Sequence, residues 1–224
     1  MYKEPDLHES RRSSWVLPRL SWDAVTNAKA RISGPLEQAP AFVRDIELHS
    51  LSRQLYAWWL ELRGLRLMPG SDNIDPRQLV ELMPYFRMLR WDGENELTMR
   101  IYGSALVEAT GFDLTGFNIF PPGDYAGKAN DIARLKMMHE QPCGLLMHRD
   151  VTGIDGVARL CEFINFPMEG TDDGRKRIVG TIVPCAPIDE ADLDFTLKVP
   201  LTVRRAAFID IGYGLPAGVD HLSC

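Results

Sequence analysis

The sequence has no apolar run near the ~18–20 residues that a membrane-crossing helix requires. Its first thirty residues also lack the apolar core of a secretory leader. There is no basic excess either: 25 Lys and Arg stand against 31 Asp and Glu, a net charge of −6. A protein that tracks phosphates carries a basic stripe, so nucleic-acid binding is not expected. Cysteine is scarce. Cys143, Cys161, Cys185 and Cys224 lie far apart, form no C-x-x-C pair and have no His at ligand spacing, so neither a zinc site nor a disulfide framework is expected. They read as small reduced thiols. Together these absences lead to the expectation of a soluble cytoplasmic protein. What is present is 224 residues with 45% hydrophobic content, enough for one domain with a core that needs no staple.

Residues 1–44 carry 7 basic and 5 acidic residues and no sustained hydrophobic period. They read as a flexible or loosely docked arm, although Trp15 and Trp22 suggest a docking role. From Ile46 the pattern changes. Ile46, Leu48, Leu51, Leu55, Trp58, Trp59 and Leu62 recur at spacings of three and four, which predicts an amphipathic helix ended by Gly64. Asp75-Pro76 is a good N-cap and first helical residue for a short helix that Pro84 stops. Tyr85–Trp91 and Leu97–Ile101, around a turn at Asp92–Asn95, predict a hairpin. Short helical stretches follow near Ser104–Thr110, with Ser104 as N-cap and Gly111 as stop. A longer helix is expected over Asp124–His139, with Tyr125, Ala129, Ile132, Leu135 and Met138 on one side. Strands resume at Cys143–Val151, Val157–Met168 and Lys176–Cys185, joined by loops rich in Gly, Asp and Thr. This order predicts an α+β domain, an antiparallel sheet with helices on one face.

Several pieces of sequence stand in a recognisable order. Leu55-Tyr56-Ala57-Trp58-Trp59, Leu62-Arg63-Gly64, Arg66, Pro69, Ile74-Asp75-Pro76 and Leu82-Met83-Pro84 come first. Arg100-Ile101-Tyr102-Gly103-Ser104, Ala109-Thr110-Gly111, Leu114-Thr115-Gly116 and Glu162-Phe163-Ile164-Asn165-Phe166-Pro167 follow. This set resembles a family of short standalone bacterial PAS-like proteins over about residues 45–187, with Phe208–Gly212 as a further outlying piece. It departs from the pattern in the arm before Asp45 and in Met68 and Gly70 around Pro69. The resemblance implies a five-stranded antiparallel sheet with flanking helices and a cavity of small-molecule size between them. It also implies ligand sensing or pairing with a partner, with no shared catalytic residue.

Chemical motifs are weak. His148-Arg149-Asp150 spells a kinase tripeptide, but the Asn five residues on and the other kinase parts are missing. Gly212-Tyr213-Gly214 with Gly218 lacks dinucleotide-loop spacing, and Gly103-Ser104 lacks the hydrolase elbow pattern. Asp72 and Asp75 suit a turn and cap better than a metal. Arg63, Arg66 and Arg100 suit lacing through Asp75 or Glu61 better than an anion site. His139 shares the inward stripe of Ile132 and Leu135, so it is the candidate axial ligand should haem occupy the cavity; the plainer reading is a favourable cation at a helix C-terminus. Glu162, central in an apolar strand, is the one odd carboxylate, and a partner in Arg100 or Arg159 would explain it.

The resulting expectation is a non-enzymatic sensory module made of residues 45–187, with an arm at 1–44 and a tail at 188–224. That tail offers an acidic start (Asp189, Glu190, Asp192, Asp194), Arg204-Arg205 and a Gly/Pro-rich end, too little for an output domain. Signalling would therefore run in trans, to a partner protein or through a homodimer. Alternation and helical phase nominate Met99, Ile101, Leu114, Ile132, Leu135, Leu145 and Met147 as ligand-facing, with Phe163 and Ile182 on strands that are apolar on both faces. The stripe Leu51, Leu55, Trp58, Trp59 and Leu62 has two readings: it covers the sheet, or it pairs with a second copy. Two rival functions are a filled, ligand-free adaptor and a small enzyme using Glu162 in the cavity.

Overall fold

The computed structural model describes residues 48–120, 122, 128–170, 173–187 and 203–216. Trp15, Trp22, Tyr125, the acidic start of the tail and Cys224 lie outside the described residues. The first helix, α1, spans Ser50–Arg63 and is capped by His49, whose Nδ1 accepts from the Leu51 N–H at 3.2 Å. It ends where Gly64 turns to φ 56° and its N–H reaches the Leu60 carbonyl. Three 3-10 turns follow, at Ser71–Asn73, Pro76–Leu79 and Met83–Tyr85. The Asp75 side chain caps the second as expected, accepting from the Arg77 N–H.

The strands are β1 Phe86–Gly93, β2 Glu96–Tyr102, β3 Gly144–Thr152, β4 Ala158–Met168, β5 Arg177–Pro187 and β6 Val203–Ile209. Between β2 and β3 lie α2, Ser104–Thr110, and α3, Lys128–Glu140. Gly111 ends α2 in the left-handed conformation, at φ 71°. Ser104 is not the cap: Gly103 occupies that position and Ser104 is an exposed first helical residue. On α3, Ala129 is exposed, whereas Asp131 and Arg134 share the buried side with Leu135 and Met138.

All neighbouring strands are antiparallel, in the order β2-β1-β5-β4-β3-β6. The sheet thus has six strands rather than the expected five. The sixth comes from the segment read as a tail, and its Ala206, Phe208 and Ile209 bury against β3.

Period-two alternation sorts the apolar strand residues into two cores. On β4, Ile164, Phe166 and Met168 join one cluster, while Cys161 and Phe163 join the other. Leu146 and Val179 part from Leu145, Met147 and Ile178 in the same way. The helices therefore cover both faces, not one: α1 lies in the first cluster, α3 in the second. This is why β3 to β5 read as apolar on both faces.

On the first face Leu55, Tyr56, Trp58 and Trp59 are buried against Phe86, Phe166 and Val179. The rings of Tyr56 and Phe166 stack at 4.9 Å and those of Trp59 and Phe166 at 5.3 Å. The Trp59 indole N–H donates to the Pro167 carbonyl at 3.0 Å, so burial leaves it satisfied. The stripe nominated for pairing with a second copy thus covers the chain's own sheet: Leu55 and Trp59 are fully buried there, and Leu51 and Leu62 pack at the margin.

Candidate functional site

The opposite face of the sheet is not filled. Between it and the α2–α3 segment lies a cavity of about 420 Å³. Its floor includes Met99 from β2, Met147 from β3, Phe163 from β4 and Ile182 from β5; Leu106, Leu114 and Leu135 form the opposing wall. The chain that follows α2 is fastened to β2. Gly116 N–H donates to the Met99 carbonyl at 2.8 Å, Met99 N–H to Phe117 at 2.9 Å, and Ile119 N–H to Leu97 at 2.9 Å. Asn118 bridges antiparallel to Thr98, and its side-chain oxygen accepts from the Leu97 N–H at 3.0 Å. Residues 116–119 therefore run as a short rail paired along the outer edge of β2.

Of the nominated ligand-facing residues, Met99, Leu114, Leu135 and Met147 line this cavity, as do Phe163 and Ile182. Leu145 and Ile132 belong to the same apolar cluster but sit outside the cavity wall. Ile101 is a correction: it packs with the α1 cluster, on the other face. Strand pairing steps from Met88↔Ile101 to Leu89↔Met99, so Arg100 is the extra residue of a β-bulge. The bulge reverses the alternation that placed Met99 and Ile101 together.

Charge enters the cavity where sequence reasoning did not look. Arg87, Asp131, Arg149 and Arg159 all contribute to the lining. Asp131, on the inward side of α3, takes Arg149 at 2.5 Å and Arg134 at 3.4 Å. Arg159 is held by Asp155 at 2.6 Å. Arg87 is 6% exposed and donates to the neutral Asn165 side chain at 2.6 Å. Burial, and secondarily Arg149, pull its pKa down to about 10, so it stays a cation near neutral pH. The signal for these residues was periodicity: Arg87 alternates with Leu89 and Trp91, and Asp131 precedes Leu135 by one helical turn.

The other nominated chemistry lies away from the cavity. His139 is buried, but it is not part of the lining. It sits a turn beyond Leu135, near Lys176, and neither of its ring nitrogens has a partner. Burial foremost, then the Lys176 charge, push its pKa down to about 3. An axial imidazole must aim into the cavity, so His139 does not fit the haem reading.

Glu162 points to the α1 face, next to Ile164 in register, and is 2% exposed. Its two oxygens accept from the His49 N–H at 3.1 and 3.2 Å, and His148 Nε2 lies at 3.5 Å. It therefore sits at the N-terminus of α1, where the helix dipole favours a carboxylate, rather than partnering Arg100 or Arg159. The cavity enzyme that needed it there loses its carboxylate. Among the described residues, His148, Glu162 and Cys185 place their ligand atoms within 4.8 Å of one another. Burial pushes the Cys185 thiol up to about 12, which leaves it protonated. Cys143, Cys161 and Cys185 are free thiols.

Arg63 and Arg66 are fastened to backbone carbonyls, Arg63 to Ile211 at 2.5 Å and Arg66 to Leu62 at 2.9 Å. Arg100 is exposed. The three make no common anion site. Among the described residues no helix is long and apolar enough to cross a membrane.

No curated protein matches the chain. Residues 47–183 match the family model described as PAS domain. That is more than half of the sequence, and the chain belongs to the PAS domain family. PAS domains are, in general, sensory and signalling modules.

Proposed function

We propose that this PAS-domain chain is a cytoplasmic, non-enzymatic sensor that takes a small molecule into the cavity and signals in trans. The output would be contact with a signalling protein or a shift in homodimerisation. The cavity carries this reading: about 420 Å³ falls within the range of small-molecule sites.

The mechanism needs no bond-making. A ligand that contacts Met99 and Met147 on the sheet and Leu114 and Leu135 on the wall favours one seating of α2 and α3 over others. The equilibrium shifts by the difference in affinity between those seatings. The surface that reads the shift is a different one from the α1 stripe, which the sheet already covers.

Native mass spectrometry of the purified chain, paired with a thermal-shift panel of small acids, alcohols and amines, tests the reading. The expected result is a small-molecule adduct on the 25.3 kDa chain that is lost on denaturation, or stabilisation by one compound class. The bare chain mass together with no stabilisation across the panel overturns it. The same spectrum reports whether the chain is a monomer or a dimer, and how ligand changes that balance.

A further inference from the structure

The three arginines that line the cavity are not alike. Arg149 and Arg159 each have a carboxylate at salt-bridge distance, Asp131 at 2.5 Å and Asp155 at 2.6 Å. Arg87 has none among the described residues. Its Nη2 donates to the Asn165 oxygen at 2.6 Å, and its Nε is buried with no acceptor. Asn165 is itself oriented, since its amide nitrogen donates to the Leu145 carbonyl at 3.3 Å. The guanidinium is further fixed over the Phe163 ring, 5.2 Å from its centre. A buried cation without an opposite charge is costly and is retained only for a compensating partner. Among the described residues Arg87 is such a cation, held in the lining of a cavity whose other charged residues, Asp131, Arg149 and Arg159, are paired.

We infer that the cavity takes a monocarboxylate with an apolar body, its head group received by Arg87. This rests on the reading of the cavity as a ligand site and specifies the ligand's chemistry. Of the arginines in the lining, Arg149 and Arg159 each hold a carboxylate, Asp131 (shared with Arg134, outside the lining) and Asp155, which leaves Arg87 alone to receive a single negative charge. The planar guanidinium fork selects a carboxylate, which accepts two parallel N–H bonds. Met99, Leu114, Leu135 and Met147 would enclose the body.

Octanoate and octan-1-ol separate head group from body. Titration into the full chain, followed by calorimetry and thermal shift, should show octanoate binding about 10- to 100-fold more tightly than the alcohol, the range for a charged hydrogen bond. Arg87→Met should bring the two within about threefold, chiefly by weakening octanoate. Arg87→Lys, which keeps the charge, should retain part of the preference, and it decides the matter should the Met variant not fold.

Equal binding of octanoate and octan-1-ol, or a preference that survives in Arg87→Met, overturns the head-group assignment and leaves the ligand site standing. Tighter binding of octyl phosphate than of octanoate overturns the charge count. Binding of neither octanoate nor octan-1-ol overturns the assignment, while the ligand-site reading stands or falls on the adduct mass and the wider panel.

Discussion

The two faces of the sheet are made of alternate residues on the same strands, yet they end in opposite conditions. On the α1 face, Tyr56, Trp59 and Phe166 stack, Trp58 meets Phe86 edge-on, and the buried Trp59 N–H and Glu162 carboxylate both have backbone partners. On the α2–α3 face, a cavity of about 420 Å³ stays open, and Arg87 and His139 are buried with nitrogens that nothing in the described chain satisfies. The α1 face is closed in volume, although Ser52 Oγ and Tyr56 OH are buried there without a partner in the described chain, while the other face leaves both volume and a buried cation unanswered. Tight packing and open volume are thereby separated across the sheet, so substitutions on the two sides should have different consequences.

Trp59→Ala tests that separation with the largest effect. It deletes a fully buried indole from a stacked cluster, and urea unfolding should show a loss of about 3–5 kcal/mol. Leu114→Ala, at a half-buried position on the cavity wall, widens an existing space instead of making a new one. Its loss should stay under about 1.5 kcal/mol, the scale of partial apolar exposure. Equal losses for the two variants would abolish the contrast between the faces.

This contrast was only half legible in the sequence. Element order as far as β5, the Gly64 and Gly111 helix ends and the Asp75 cap depend on local chemistry, and they stand where local chemistry puts them, whereas β6 was read as tail. Met99, Leu114, Leu135 and Met147 were found by simple alternation and helical phase, and all four line the cavity. Ile101 was misplaced because the bulge at Arg100 depends on how β1 twists against β2, which is a pairing property. The destination of the α1 stripe was open because apolar spacing shows that a face is buried, not what buries it. Helix α1 and the β4 face it meets are about a hundred residues apart, as the 108-residue separation of Trp59 and Pro167 shows. Arg87 and Asp131 were passed over because charge in an apolar period reads as a solvent position until the opposing wall is known.

Acid sharpens the comparison at a middle scale. The ordinary His pKa of 6.5 applies to the unfolded chain, whereas burial holds His139 at about 3 in the fold. Above pH 6.5 neither state binds the proton. Between 6.5 and 3 only the unfolded chain does, so stability falls as pH falls, by about 2 kcal/mol at pH 5. His139→Leu should remove that slope, checked by urea midpoints at pH 7 and pH 5. Tyr56, the large titrating group of the other face, is pushed up to about 12 by burial and is neutral throughout this window. An unchanged slope in His139→Leu would mean that acid sensitivity does not come from the open face.

The smallest effect concerns the sign of a change rather than its size. Ala109 sits on α2 and lines the cavity. Leu is nearly as good a helix former as Ala, so Ala109→Leu alters little except the volume directed at the space. Where room exists, the added apolar atoms should raise stability by about 0.5–2 kcal/mol in thermal or urea unfolding. Where the face is already packed, the same substitution should cost about 1–3 kcal/mol, as overpacking does. A gain in stability joined to weaker octanoate binding would show that the volume left unfilled on this face is the volume a ligand uses. A loss of stability would mean that the two faces differ in charge alone.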